Sequence, residues 1–545
     1  MRIQISPRYP RSSRDFYKIS GALFIAVYVF LWMSKPDYDK AWSLSHYVKA
    51  YMPKNYMALV NSTDTFTWNK TDRQIEGKIL KKMKHAEFMR NWCRERQARL
   101  DWKAMLSPCG NKTAWSSPRK RENATDPNTS IISLWDIRPV GEYSRFIIQS
   151  QTKFGKPNMQ GGDSWRVMIR GPSSISPAVI DHRNGTYEVL FLVMEAGVYS
   201  LNITLDFTLC DGFKDPPLDW FIVGNAQGKY QRHPEVDGNK DYLQAPLWGG
   251  NPVQISVPPA TDGSSSLSII SEERLSLITN TDCGITCKFI WDGRGRWVQN
   301  TWKSNLKVPL RRLQSRGKGG TLWIYGDSVN VFFAQSLRQR KLCHGIFSDC
   351  KFSYNWIYPV KNVTVAKNEN ENLDYNNERV LLNFRRDILR PEMRDNSAVV
   401  FNFGLHFVES TNFTNYKKLI DGLVNELHRS DLEMTLSNAT QSRYSGTAIW
   451  KTTTAINKDK ASNIHLGHKR FMTQQRILLY NAFATTRMCE AGFHVLDVYP
   501  VTDSYSPGTG THGAHGPVKN DVVHYSNLAF RPVEDLLEEF FGGGN

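Results

Sequence analysis

The rhythm of apolar and polar positions changes three times along the chain. Ile75, Ile79 and Met83 recur every four residues, and Phe88 and Trp92 follow less regularly, which predicts a basic helix over 72–106. The polar, turn-rich stretch 117–130 then reads as a linker. From 131 to 210 the period falls to two. Ser164 to Ile169 alternates until Gly171-Pro172 stops it, and Asn184-Gly185 marks a turn before a strand over 187–192. After Ala196-Gly197, the apolar positions Tyr199, Leu201, Ile203 and Leu205 alternate with Ser200, Asn202 and Thr204. Short strands with tight turns predict a β-sandwich over 131–210. Residues 211–280 are rich in Pro, Gly and Asp and read as an irregular connection. From 281 to 545 strands and helices alternate. Strands are predicted over 321–325, 398–401, 448–450 and 493–498, and helices over 329–340, 473–489 and 532–541. Tyr416, Leu419, Ile420, Leu423 and Leu427 form one apolar face of a further helix. Such alternation predicts an α/β fold: a parallel sheet with helices on both faces and a site at the strands' C-terminal ends.

The N-terminus has a different texture. Arg2, Arg8, Arg11, Arg14 and Lys18 precede an apolar stretch over 19–33. Basic residues before such a run favour a cytosolic N-terminus. The run ends in Trp32-Met33-Ser34-Lys35-Pro36, a poor cleavage site. The reading is a cytosolic tail (1–18), one transmembrane signal anchor (19–33) and a stem (34–130), with the rest in a lumen. A cleaved signal and a secreted product is the alternative. The span is short, which suits the thin bilayers of the ER or Golgi.

Composition narrows the classes. The 545 residues are 40% apolar and 12% aromatic, which excludes a disordered, collagen-like or multi-span protein. The net charge of +17 suits nucleic acid, an anionic membrane or an acidic glycan. A lumenal body removes nucleic acid and leaves an acidic glycan acceptor or a solvated basic surface. Sequons at Asn61, Asn69, Asn111, Asn123, Asn128, Asn184, Asn202, Asn362, Asn412 and Asn438 all lie beyond the anchor. The eight cysteines fit an oxidising lumen, with their connectivity open. A zinc site at Cys283 and Cys287 is the minor alternative for that pair; no metal is implied elsewhere.

The candidate chemistry sits in the α/β region. Gly326-Asp327-Ser328 ends a predicted strand and opens a predicted helix, which leaves the Ser328 N–H available to an anion. Serine needs a base, and Asp521-Val522-Val523-His524 supplies one. Asp521 would fix the tautomer whose other ring nitrogen takes the Ser328 proton. Asn402-Phe403-Gly404 comes just after the strand at 398–401, so the Asn402 amide and the Ser328 N–H are candidate oxyanion donors, with Gly404 beside them. His512 and His515 read as loop histidines. Trp302, Trp323 and Trp356 read as core before sugar platforms. The Gly317–Gly320 stretch precedes its strand and reads as a plain loop, so no cofactor-binding residues are named.

Two regions carry family resemblances. Asp181-x-x-Asn184-Gly185-Thr186-Tyr187-Glu188-Val189-x-Phe191 with Gly197-x-Tyr199-x-Leu201 resembles a filamin-type immunoglobulin-like repeat. Gly326-Asp327-Ser328, Asp521-x-x-His524 and the run Asp292 to Val298 resemble the PC-esterase group of SGNH (GDSL-like) hydrolases. An anchor, a filamin-like sandwich and a PC-esterase domain together resemble the neurexophilin and PC-esterase (NXPE) family. That resemblance implies an SGNH-like fold with Ser328 as nucleophile, His524 as base and Asp521 as its orienting acid. It implies a lumenal O-acetyltransferase acting on sialic acid or other glycans, with acetyl-CoA as donor and no tightly bound cofactor. A carbohydrate esterase or a non-catalytic neurexophilin-like glycoprotein is the alternative. Plant members of the group carry an arginine three residues after the serine; here Val331 stands there, and Arg385 or Arg386 is the substitute considered.

Overall fold

The computed structural model describes residues 70–113, 121–216, 241–260, 283, 286–305, 319–356, 376–429, 444–457, 460, 470–511, 518 and 520–542. The expected tail and anchor, residues 34–69 and 114–120 of the expected stem, and His512 and His515 lie outside these residues. Among the described residues no helix is long and apolar enough to cross a membrane. The chain divides into two compact units, 1–77 and 78–545. Among the described residues, only the start of one helix represents the first unit, and every other element belongs to the second.

Helix α1 (Lys70–Leu100) leads into the short α2 (Trp102–Leu106). The sandwich comes next. Its first sheet has the order β1 (Ile131–Asp136), β2 (Tyr143–Gln149), β6 (Thr186–Leu192), β5 (Ala178–Asp181), all antiparallel. Its second contains β3 (Ser164–Arg170), β4 (Ser174–Ile175), β7 (Gly197–Phe207) and β8 (Ala245–Pro246), with β9 (Val253–Val257) also paired to β7. Phe146, Trp165, Val167, Tyr187, Leu201 and Ile203 fill the space between the sheets. Alternation in the sequence is thus alternation of burial, since successive side chains point to opposite faces.

The sandwich takes more chain than its pattern predicted. β8 and β9 fall in 211–280, the stretch expected to be irregular. Val253-Gln254-Ile255-Ser256-Val257 does alternate, but its Gly- and Pro-rich flanks hide so short a strand. The hairpin β11 (Gly295–Val298) and β12 (Thr301–Ser304) lies past residue 281, yet Trp297 pairs with Ser174 of β4 and extends the second sheet. The boundary expected at 281 therefore cuts through a shared sheet.

The third sheet has six strands, all parallel: β10 (Lys288–Trp291), β17 (His494–Leu496), β16 (Thr447–Lys451), β15 (Ala398–Phe401), β13 (Thr321–Gly326) and β14 (Asp349–Tyr354). Central strands β13 and β15 are buried at every residue, as parallel strands covered on both faces must be. The chain runs from β13 outward to β14, then returns to the other side of β13 for β15, β16 and β17. This is the doubly wound 2-1-3-4-5 order, and its reversal places a crevice at the C-terminal end of β13. Helices α4 (Asn377–Ile388), α6 (Phe413–His428) and α7 (Gln474–Glu490) pack together, as do α3 (Ser328–Leu337) and α9 (Asn527–Gly542). The short α5 (Leu405–Ser410) comes after β15, and α8 (Tyr499–Asp503) after β17.

Four disulfides join Cys93 to Cys283, Cys109 to Cys210, Cys287 to Cys489 and Cys343 to Cys350. Cys283 and Cys287, weighed as a zinc pair, belong to different bridges, so neither thiolate is available to a metal. Among the described residues no cluster of His, Cys, Asp and Glu is arranged to hold a metal ion.

Candidate active site

Strand β13 delivers Ser328 to the crevice. At Gly326 the Asn330 amide nitrogen lies 1.7 Å from where a Cβ would stand, so only glycine lets the helix fold back this closely on its strand. Asp327 caps α3: its Oδ1 accepts from Val329 N–H at 3.1 Å. Its Oδ2 accepts from Leu405 N–H at 3.0 Å, in the first turn of α5. One buried carboxylate thus ties the exits of β13 and β15 together. Ser328 is the first helical residue, and helix geometry provides no internal acceptor for its N–H.

The candidate base arrives from far along the chain. His524 Nε2 lies 2.8 Å from Ser328 Oγ, and His524 Nδ1 lies 2.7 Å from Asp521 Oδ2. With the carboxylate holding the proton on Nδ1, Nε2 is the acceptor for the serine hydroxyl. Asp521 Oδ1 also accepts from Val523 N–H at 2.8 Å and His524 N–H at 3.0 Å. Burial raises the Asp521 carboxyl pKa, but the bonds from the His524 ring and these two amides outweigh it and hold the group well below the usual carboxylate range. Phe332 of α3 meets the imidazole edge-on at 5.1 Å. The loop is tied down by Tyr525 Oη donating to Ala455 O (2.9 Å) and by Asn457 N–H donating to Val522 O (2.9 Å), both partners lying just past β16.

The three residues read as a relay therefore converge from positions 196 apart in sequence. The oxyanion candidates fare differently. The Asn402 amide donates to Lys451 O at 2.9 Å and to Thr453 Oγ1 at 3.2 Å, so both its hydrogens are used in joining β15 to β16. In this arrangement the amide expected to meet an oxyanion is engaged in holding the two strand ends together. Gly404 stands at the crevice: a Cβ there would lie 2.2 Å from Asn402 Oδ1 and 2.9 Å from Asp327 Oδ2. The backbone N–H groups of Ser328 and Gly404 are the remaining candidate donors. Arg385, considered as a substitute donor, is bound to Glu426 of α6 (Nε to Oε2, 2.6 Å), and Arg386 is exposed. Trp323 and Trp356 are buried, as expected of core residues, and Trp356 stacks on His406 at 5.3 Å.

The sequence reading missed Lys451, whose side chain is buried at the end of β16. Burial pushes its ammonium down to about 8, against the opposing pull of Asp327. Its only signal was its place just past a predicted strand. It also missed His406, which meets the Tyr354 hydroxyl at 3.0 Å.

Residues 124–208 match the family described as the Filamin/ABP280 repeat, so the sandwich holds a filamin-type repeat. Among solved structures, the Lin-41 filamin domain is 11% identical, with a TM-score of 0.16, over 25% of this chain and 99% of its own. Protein YXIM_BACsu from Bacillus subtilis is 9% identical, with a TM-score of 0.23, over 79% of this chain and 97% of its own.

Proposed function

We propose that the protein is a serine-dependent O-acyltransferase of the PC-esterase (SGNH-like) type and a member of the neurexophilin and PC-esterase family. It moves acetyl groups onto hydroxyls of sialic acid or other glycans in the Golgi or ER lumen. The observation that carries this reading is the continuous relay Ser328–His524–Asp521 at 2.8 and 2.7 Å, at the reversal point of a doubly wound sheet. In the first half-reaction His524 Nε2 takes the Ser328 proton as Oγ attacks the acyl carbonyl. The oxyanion is met by the backbone N–H of Ser328 and Gly404. His524 then returns the proton to the leaving thiolate of acetyl-CoA, and an acyl-serine remains. In the second, a sugar hydroxyl gives its proton to Nε2 and attacks the ester; the C–Oγ bond breaks and His524 returns the proton to Ser328 Oγ. Water in place of sugar makes the same site an esterase. A non-catalytic binding glycoprotein has no need of this relay.

The lumenal setting has its own support. Asn111, Asn123, Asn128, Asn184 and Asn202 are exposed and Asn412 is half-exposed, so these sequons are open to glycosylation. The disulfides fit an oxidising compartment, and the apolar run at 19–33 is the membrane anchor in this reading. The test uses secreted residues 34–545 with labelled acetyl-CoA and sialylated glycans, and in parallel an acetate-ester reporter. Glycan labelling that disappears in Ser328→Ala supports transfer. Reporter hydrolysis alone makes the protein an esterase. Folded protein silent in both assays overturns the catalytic reading.

A further inference from the structure

A cavity of about 750 Å³ lies beside edge strand β10, and none of the relay residues lines it. Its walls are α1, β10, the β11–β12 hairpin and one side of α9. The Cys93–Cys283 bridge holds α1, and the Cys287–Cys489 bridge ties the start of β10 to α7.

The residues that line this cavity carry buried polar groups that are incompletely used. Arg96 is only 3% exposed, and none of its three guanidinium nitrogens has a hydrogen-bond acceptor among the described residues. Its guanidinium lies over the Phe289 ring, 4.7 Å away, and feels the Asp292 carboxylate. Arg294 lies over the Trp92 ring at 3.6 Å and donates from Nη2 to Trp92 O at 2.8 Å. Among the described residues its Nε and Nη1 have no hydrogen-bond acceptor, although Nε lies 3.5 Å from Asp292 Oδ2 and 3.7 Å from Glu95 Oε2. Among the described residues, Asp292 Oδ2 and the indole nitrogens of Trp92 and Trp302 are likewise without hydrogen-bond partners. Buried polar groups in native proteins are nearly always bonded, and a buried charge without hydrogen bonds is costly. So many idle groups around one aromatic cavity call for a guest that bonds them.

We infer that this cavity is a binding site for a carboxylate-bearing sugar residue, with Arg96 as the carboxylate's partner. The fork of a guanidinium matches a carboxylate in two parallel bonds. Trp302, half-buried and edge-on to Trp291 and Trp297 at 5.6 and 5.4 Å, offers an apolar platform for a sugar ring. Asp292 Oδ2 is an acceptor for a ring hydroxyl. The charge count selects one negative charge over several. Arg96, Arg294 and Arg531 line the cavity with Asp292, Asp535 and Glu539, so a polyphosphate would face as many carboxylates as arginines. This site goes beyond acyl transfer, and it stands whether or not Ser328 is ever acylated.

The test measures binding in the Ser328→Ala protein, where no turnover intervenes. Methyl β-glucuronide, methyl β-glucoside and coenzyme A are compared by saturation-transfer NMR and calorimetry. The glucuronide is expected to bind at least about tenfold more tightly than the glucoside. Arg96→Gln is expected to weaken it by at least about tenfold and Trp302→Ala by several-fold. Because Arg96→Gln removes a buried charge, it should melt no lower than its parent; if it does, Trp302→Ala decides the question. Equal binding of both sugars, coenzyme A binding that Arg96→Gln abolishes, or no glucuronide binding at all overturns the inference.

Discussion

At the scale of single residues, Asp521 and Lys451 carry charge in opposite circumstances. Asp521 is an anion held by three hydrogen bonds, and its ring partner depends on it for its tautomer. Asp521→Asn keeps the shape but admits the wrong imidazole tautomer. We expect kcat on the ester reporter to fall about 10⁴-fold with little change in melting temperature. Lys451 is a cation kept in a place that disfavours it. Its folded pKa, pushed down to about 8, lies below the ordinary value of 10.5. Between these two pH values the unfolded chain binds more protons than the folded one, so stability rises with pH across that window. Lys451→Met should therefore stabilise the protein at pH 7 by on the order of 3 kcal/mol and by much less near pH 10. Melting curves at the two pH values check this; an equal gain at both would refute it. The relay residues could be read in advance because each stands next to a turn-and-helix signal. The role of Lys451 could not, because it arises only where β16 lies against β15 and brings the amine into the field of Asp327.

At the scale of elements, a buried arginine joins segments far apart in sequence. Arg476, in the first turn of α7 and fully buried, donates to Val408 O (Nη2, 2.9 Å), Thr411 O (2.8 Å) and Lys214 O (3.1 Å), and pairs with Asp215. Asp215 in turn accepts from Phe413 N–H at 2.9 Å, which starts α6. Asp215→Ala leaves the guanidinium charge buried without its counterion and should cost about 3–5 kcal/mol, read as a lower urea midpoint at unchanged slope. Strongly periodic elements such as β7 and α6 were plain from pattern alone. β14 was not, because Asp349-Cys350-Lys351-Phe352-Ser353-Tyr354 sits half-exposed at a sheet edge and lacks a clean apolar side. The pattern predicts helix α9 from Pro532, a favoured first residue, yet the helix starts at Asn527 and carries the proline inside. The turn before Pro532 gave no separate signal.

At the scale of the molecule, the sandwich and the parallel sheet share structure. Ser174 Oγ donates to Ser504 O at 2.7 Å, Gln475 Nε2 to Asp163 O at 3.2 Å, and Thr473 Oγ1 to Gly212 O at 2.6 Å. The β11–β12 hairpin belongs to one sheet by pairing and to the other region by sequence. Expression of 281–545 alone should give an aggregated or molten product, and 78–545 a cooperative one. Near-UV circular dichroism and a single unfolding transition distinguish them, and a well-folded 281–545 would contradict the shared sheet. Sequence pattern marks where strands lie but says little about which sheet a strand joins, since Trp297 and Ser174 meet across more than a hundred residues.

The wide spacing of the bridges has a consequence in time. Cys93 must wait for a partner 190 residues later, and Cys287 for one 202 residues later. At synthesis rates of about 5–20 residues per second, each wait lasts roughly 10–40 s. During the first, Cys109 is the next cysteine to emerge, ahead of Cys210, its own partner, and of Cys283, so a premature Cys93–Cys109 crosslink is the nearest wrong product. Maturation of this protein should therefore be limited by thiol reshuffling after the ribosome has finished, and its yield should track the supply of disulfide isomerase.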